Sequence, residues 1–180
     1  EFHISPEMNN VIGAFGEGAT MQRIDSVLAH QPVLNMFNTK YIIYADDKAP
    51  ILNTHALGSA WFVDEVRQVK NADEEITTLG KIDPARTALV DELLGESPWY
   101  EVANAARPDP TASVKLNGYK SNELNYTVKS KDGGVVVFSE IWYGPDWVAE
   151  IDGKPAPYVR ADYVLRAMKV PAGEHTVRFY

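Results

Sequence analysis

Hydrophobic and polar positions follow two regimes along this chain. From Ala19 to Ala29 the run ATMQRIDSVLA sets Met21, Ile24, Val27 and Leu28 at helical spacing, with Gly18 or Thr20 available to begin the helix. The residues before it read as an irregular start. Pro32 interrupts, Val33 to Phe37 resumes an apolar pattern, and Lys40-Tyr-Ile-Ile-Tyr44 has the apolar, aromatic density of a buried strand ended by Asp46-Asp-Lys-Ala-Pro50. Ser59-Ala-Trp-Phe-Val63 predicts a further strand. Asn71 predicts a helix N-cap, with Glu74 three residues on as in a capping box. Thr87 to Val90 is a short strand candidate, and Gly95-Glu-Ser-Pro98 breaks the pattern.

Beyond the stiff, proline-bearing segment Ala106 to Pro110 the period changes to two. Strands are predicted at Ala112 to Leu116, Glu123 to Lys129, Val135 to Trp142, Trp147 to Ile151, Tyr163 to Val170 and His175 to Tyr180. Asp-Gly in Lys131-Asp-Gly-Gly134 and Ile151-Asp-Gly-Lys154 predicts tight hairpins, and Pro171-Ala-Gly-Glu174 another reversal. The expected class is α+β: a mixed α/β region over 1–105, then an antiparallel, jelly-roll-like β-sandwich over 106–180, the two sharing one core if Lys40 to Tyr44 joins the sandwich.

The segment SEIWYGPDWVAEIDGK, Ser139 to Lys154, gathers two tryptophans and a tyrosine around Gly144-Pro145, where a strand must end. Alternation puts Trp147, Ala149 and Ile151 on one face, suited to a core, with Val148 and Glu150 opposite. An aromatic face also packs against the C–H surface of a sugar, so Trp142, Tyr143, Asp146 and Trp147 are the candidate carbohydrate-binding residues. Corner packing is favoured over an exposed shelf, with Tyr143 the exposed exception.

Composition narrows the function. Of 180 residues, 45% are hydrophobic and 23% charged, enough for a sizeable core. A formal net charge of -8 argues against nucleic acid or an anionic surface as partner. Cysteine is absent, which removes disulfides, thiolate nucleophiles and Cys-type zinc sites. No apolar run reaches the roughly 20 residues needed to span a bilayer, and no signal-peptide pattern opens the chain. The start at Glu1-Phe2 and the strand-like alternation continuing to Tyr180 give the expectation of a piece cut from a longer protein.

His3, His30, His55 and His175 stand in no metal-binding spacing, and His175 is expected at the solvent-exposed start of a strand. Asp46-Asp47 reads as a turn and Asp73-Glu-Glu75 as a helix start stabilised by the dipole. Gly13-Ala-Phe-Gly-Glu-Gly18 lacks the Gly-Lys-Ser/Thr ending of a phosphate loop and reads as a flexible approach to the first helix; no Gly-x-Ser-x-Gly elbow occurs. Asn125-Tyr-Thr127 is a sequon inside an expected strand. No catalytic residue, metal or cofactor is expected.

Phe138-Ser-Glu-Ile-Trp-Tyr-Gly-Pro-Asp-Trp147, then Asp152-Gly-Lys154, then Val170-Pro-Ala-Gly-Glu-His-Thr-Val-Arg-Phe179 together resemble the closing segment of the bacterial YfhO-type membrane proteins. Pro145-Asp146 departs from the pattern, which sets Gly and Trp together. Val33 to Ile43 and Ala56 to Val63 resemble upstream segments of the same family, so the resemblance reaches from about Gly13 to the end. It implies a large multi-pass protein with a glycosyltransferase-like membrane portion that adds sugars to cell-envelope polymers. This chain would be its soluble extracytoplasmic part, with its own transmembrane portion as partner and an envelope glycan as candidate ligand. The family's acidic catalytic residues lie upstream, so none is carried over. Two other readings stand beside this one. The first is a purely structural or protein-interaction module; the second is a carbohydrate-active hydrolase using carboxylates such as Asp46 or Asp146.

Overall fold

The computed structural model describes residues 4–16, 18–91 and 110–180. The segment opens with α1 (Ile4–Ala14), α2 (Met21–Ala29) and α3 (Pro32–Met36). Thr20 caps α2 by accepting from the Arg23 amide at 3.2 Å. Pro32 suits the first turn of α3, whose free amides are met from outside the helix: Glu7 on α1 accepts from Val33 N at 3.0 Å and Leu34 N at 2.8 Å. Val11, Ala14, Ile24, Leu28 and Leu34 close a small core between these helices. Ile4–Ala14 is therefore helical where the sequence read irregular, and Gly13 lies inside α1.

The expected buried strand at Lys40 to Tyr44 is corrected. It is a two-residue strand, β1 (Tyr41–Ile42), paired with β2 (Ile51–Leu52). A two-stranded ribbon has one inner face, and Ile42 takes it; Tyr41, Ile43 and Tyr44 are exposed. Tyr44 stacks on Phe15 with ring centroids 4.7 Å apart.

Next come β3 (Ala60–Val63), β4 (Glu65–Val69), α4 (Ala72–Leu79) and β5 (Thr87–Asp91), the parallel pair β4–β5 flanking its connecting helix. Asn71 caps α4 by accepting from Glu74 N at 2.9 Å, and Glu74 in return accepts from Lys70 N at 2.8 Å, one residue earlier than a standard capping box. The pattern break at Gly95 lies outside the described residues, as does Ala106 to Asp109 of the proline-bearing segment.

The later strands are β6 (Ser113–Lys120), β7 (Glu123–Ser130), β8 (Gly134–Phe138), β9 (Ala149–Ile151), β10 (Lys154–Pro155), β11 (Val159–Ala161), β12 (Leu165–Val170) and β13 (Gly173–Phe179). They form a five-stranded sheet, β10-β9-β13-β7-β6, and a four-stranded sheet, β11-β12-β8-β3. The class is α+β with a β-rich second half. All pairs in both sheets are antiparallel, and β3, from the first half, completes the second sheet by pairing Trp61 with Val137 and Val63 with Val135.

Alternation along β8 and β12 feeds two cores. Val136, Phe138, Met168 and Val170 meet Leu124, Tyr126, Val128, Val177 and Phe179 between the sheets. Val135, Val137, Leu165 and Ala167 face the opposite way, against α3, α4 and β5. The four-stranded sheet is thus covered on both faces, which explains the unbroken apolar run Val135 to Phe138.

Two expected turns change role. Asp152 at φ 51 and Gly153 at φ 74 make the β9–β10 hairpin as read. Lys131 to Gly134 instead carries the chain from one sheet to the other, since β7 and β8 do not pair, and Pro171 to Glu174 carries it back between β12 and β13. These corners pack together: a Cβ on Gly133, at φ 74, would lie 2.7 Å from Val170 O.

Candidate functional site

Strand β8 ends at Phe138, four residues before the predicted Trp142: Ser139 N still donates to Ser59 O in register with β3, and the chain then turns, with Glu140 N donating to Phe138 O. Ile141 to Trp147 then crosses the end of the sandwich. Trp142 N donates to Val164 O at 2.7 Å, and its half-buried indole lies over Gly144, where a Cβ would meet ring atoms at 2.7 and 2.8 Å. Glycine is required at that position for contact, not for backbone angle.

Arg166 anchors the corner from below. The alternation of β12 puts it in phase with Met168 and Val170, facing the inter-sheet core opposite Phe138, and it is 2% exposed. Its Nε and Nη2 both donate to Ile141 O, at 3.1 and 2.8 Å, and its guanidinium lies 4.2 Å from the Trp147 ring centroid and 5.1 Å from that of Phe179. Tyr158 donates its hydroxyl to Trp147 O at 3.0 Å. Trp147, Ala149 and Ile151 pack on the inter-sheet core as alternation predicts, while Val148 is exposed.

A buried cation needs compensation, and the corner supplies it in three parts: a carbonyl, two aromatic faces and the half-buried Glu140. Burial lowers the Arg166 pKa, with Tyr158, Glu140 and Tyr126 acting in the opposite direction. Burial also raises the Glu140 carboxyl, against the pull of Arg166. The Tyr126 hydroxyl, pushed up by burial and then by Glu140, has no hydrogen-bond partner, nor has Arg166 Nη1.

The candidate residues therefore occupy different depths. Trp142 and Trp147 are half-buried, the first against Gly144 and the second under Arg166; Tyr143 and Asp146 are exposed. Sequence reading missed Arg166 and Tyr158. An arginine at an inward phase of an apolar strand was the available signal.

The remaining chemistry is scattered. Asp46 and Asp146 are exposed in separate loops. The solvent-exposed His175 expected from the pattern is corrected: its side chain is 17% exposed, held by Asp152 Oδ2 at 2.7 Å and Ala172 O at 3.0 Å. Both partners are acceptors, so they favour the imidazolium. The hydrogen bond to Asp152 is the largest cause of a raised His175 pKa, and the same bond lowers Asp152. Among the described residues no cluster of three or more His, Asp or Glu could hold a metal ion, and no helix is long and apolar enough to cross a membrane.

Fold and corner define a β-sandwich module with an aromatic, arginine-anchored end and an α-helical flank. Residues 102–180 match the model of the family described as bacterial membrane protein YfhO, which supports a YfhO-type assignment on the segment that carries the closing motifs; the resemblance at Val33 to Ile43 and Ala56 to Val63 lies outside the match. The matched segment contains the whole aromatic corner, and the match supports a membrane association for the protein. Neither the curated proteins nor the solved structures give a match.

Proposed function

We propose that this chain is a non-catalytic, extracytoplasmic module of a YfhO-type membrane protein acting in cell-envelope glycosylation, where it positions a glycan acceptor beside its own transmembrane portion. The observation that carries this reading is the corner within the matched segment: the exposed ring of Tyr143 and the carboxylate of Asp146 stand on a base fixed by Arg166, Trp147 and Gly144. A rigid aromatic face beside an acceptor carboxylate suits one sugar ring, its C–H face on the tyrosine and its hydroxyls on Asp146. Trp142 and Trp147 contribute edges. Calorimetric titration with envelope polysaccharide tests it: binding weakened about tenfold or more by Tyr143→Ala and by Asp146→Asn supports the reading. Absence of binding to any envelope polysaccharide overturns it.

The half-burial of both tryptophans favours a second reading, a protein-interaction module whose corner is packing alone. Under it, the unsubstituted chain is silent in glycan titrations, and Tyr143→Ala leaves its co-purification with a separately expressed transmembrane portion unchanged. Orientation is open to a direct assay, because the chain has no cysteine. A single Asp152→Cys in the full-length protein is labelled by a membrane-impermeant maleimide on intact cells if the module faces outward.

A further inference from the structure

A second site lies outside the matched segment, among the helices. The end of α2, the 53–59 loop and the 80–85 turn enclose an open cleft of about 470 Å³ bordered by His30, His55, Leu57, Lys81, Ile82 and Asp83. That volume falls within the roughly 300–1,000 Å³ typical of small-molecule sites. The two histidines, far apart in sequence, meet at one opening.

Each imidazole is fixed by one nitrogen and free at the other. His30 Nδ1 donates to Ser26 O at 2.7 Å, one helical turn back, so the neutral ring carries its lone pair on Nε2. His55 Nε2 donates to Asp25 Oδ1 at 3.0 Å, so its lone pair is on Nδ1. Among the described residues neither remaining nitrogen has a hydrogen-bond partner.

The support behind the rings is buried and fully bonded. Asn53, 2% exposed, accepts from His55 N at 3.0 Å through Oδ1 and donates Nδ2 to Asn35 Oδ1 at 2.8 Å and Thr39 O at 2.9 Å. Asn35 donates to Leu28 O at 2.9 Å and its carbonyl receives Leu57 N at 3.0 Å. Across the cleft, the Trp61 indole N–H donates to Pro84 O at 2.8 Å and steadies the turn. Such polar support holds side chains in one geometry before a ligand arrives.

We propose that this cleft binds a saccharide unit through its hydroxyl groups, with His30 Nε2 and His55 Nδ1 accepting and Lys81 donating. A hydroxyl can give a proton to an imidazole lone pair and receive one from an ammonium, so a polyol satisfies all three positions without net charge. An anion fits worse, because the two imidazole lone pairs offer it no donor and the Asp83 carboxylate borders the cleft together with Lys81. Leu57 and Ile82 supply apolar surface for the C–H face of the ring. The cleft and the aromatic corner are separate, so either proposal can fail alone.

The test is NMR of the 180-residue chain at pH 8, following the histidine Cε1–H signals. Long-range nitrogen correlations are expected to show the Nδ1–H tautomer for His30 and the Nε2–H tautomer for His55. Methyl pyranosides of the gluco, galacto and N-acetylgluco series are then titrated in, with inorganic phosphate as the anionic arm. At least one pyranoside is expected to shift both signals saturably, and His30→Ala or His55→Ala to weaken the effect at the remaining signal by about tenfold, while Tyr143→Ala leaves it intact. Asp25→Ala, which removes the acceptor that fixes the His55 ring, is expected to weaken binding less than His55→Ala. No saturable shift with any pyranoside, survival of pyranoside binding in the His30→Ala/His55→Ala double variant, or tighter binding of phosphate than of any pyranoside would overturn the proposal.

Discussion

Asp162 shows how much a single side chain can hold together. It sits at φ 49 in the turn between β11 and β12, wholly buried, and reaches β5 in both directions: Leu89 N donates to its Oδ1 at 2.8 Å and its own N–H donates to Leu89 O at 2.9 Å. Around it stand Glu75 of α4, Asp91 of β5 and Arg160 of β11; Glu75 accepts from Tyr163 N at 2.7 Å and Arg160 at 3.2 Å, and Arg160 lies 3.5 Å from Asp91. Desolvation in this cluster disfavours a charged Asp162 carboxylate, and a proton is the counter-charge that meets it. Burial pushes the Asp162 carboxyl up to about 7 from 3.8, and burial also raises Glu75. The folded state therefore holds a proton that the unfolded chain releases earlier. Stability from Asp162 is full below pH 3.8 and is lost as pH climbs to about 7. Chemical denaturation across this window is expected to show that fall, and Asp162→Asn, which keeps the acceptor for Leu89 N, is expected to remove most of it. An unchanged slope in the variant would assign the dependence to Glu75. At His175 the sign is the same from a different cause: its raised pKa makes its contribution complete below 6.5 and lost above the folded value. In Asp152→Asn the NMR-measured pKa of His175 is expected to drop toward 6.5. Neither residue was legible as special in the sequence, since burial of an acid depends on which distant strand covers it.

At the level of elements, the readings that succeeded rest on local physics. Asn71 capped its helix, Thr20 began another, and Asp152-Gly153 closed a hairpin, because each needs only neighbours in the chain. Those that failed depend on remote partners. Alternation at Val135 to Trp142 could not show that the chain turns at Glu140, whose N–H bonds back to Phe138 O, and the Asp-Gly-Gly of residues 132–134 looks alike in a hairpin and in a corner between sheets. The corner makes its own prediction. Gly133→Ala places a methyl against the Val170 carbonyl at an unfavourable φ, and a loss of about 1–3 kcal/mol in unfolding free energy is expected from equilibrium denaturation. At the aromatic end, Gly144→Ala drives the Trp142 indole off its seat, so tryptophan fluorescence is expected to shift red with a smaller loss of stability. Helix α3 depends on Glu7, and Glu7→Ala strands two amides at a cost of about 2 kcal/mol. The aromatic corner was visible as a corner from Gly144-Pro145; its arginine anchor was not, because Arg166 is 19 residues downstream of Trp147 (166 − 147) and meets it only when the sheets stack.

For the whole molecule, the decisive feature is β3 inside the four-stranded sheet. A chain limited to 110–180 lacks it and bares the edge of β8, along with the face of Val135 and Val137 that α3, α4 and β5 otherwise cover. Such a fragment is expected to bind a hydrophobic dye and to melt without a cooperative transition; a sharp transition with retained sheet signal would show that the sandwich stands without its first-half strand. The same arrangement governs how the protein comes into being. Synthesised from its N-terminus, the chain releases Trp61 and Phe62 long before Val136 and Val137 exist to receive them, so a sticky strand must wait on some seventy later residues (135 − 63 = 72). A pause in translation over that interval leaves it open to misassembly, and yield of the 180-residue chain in the cell is expected to depend on holdase chaperones more than its length would suggest.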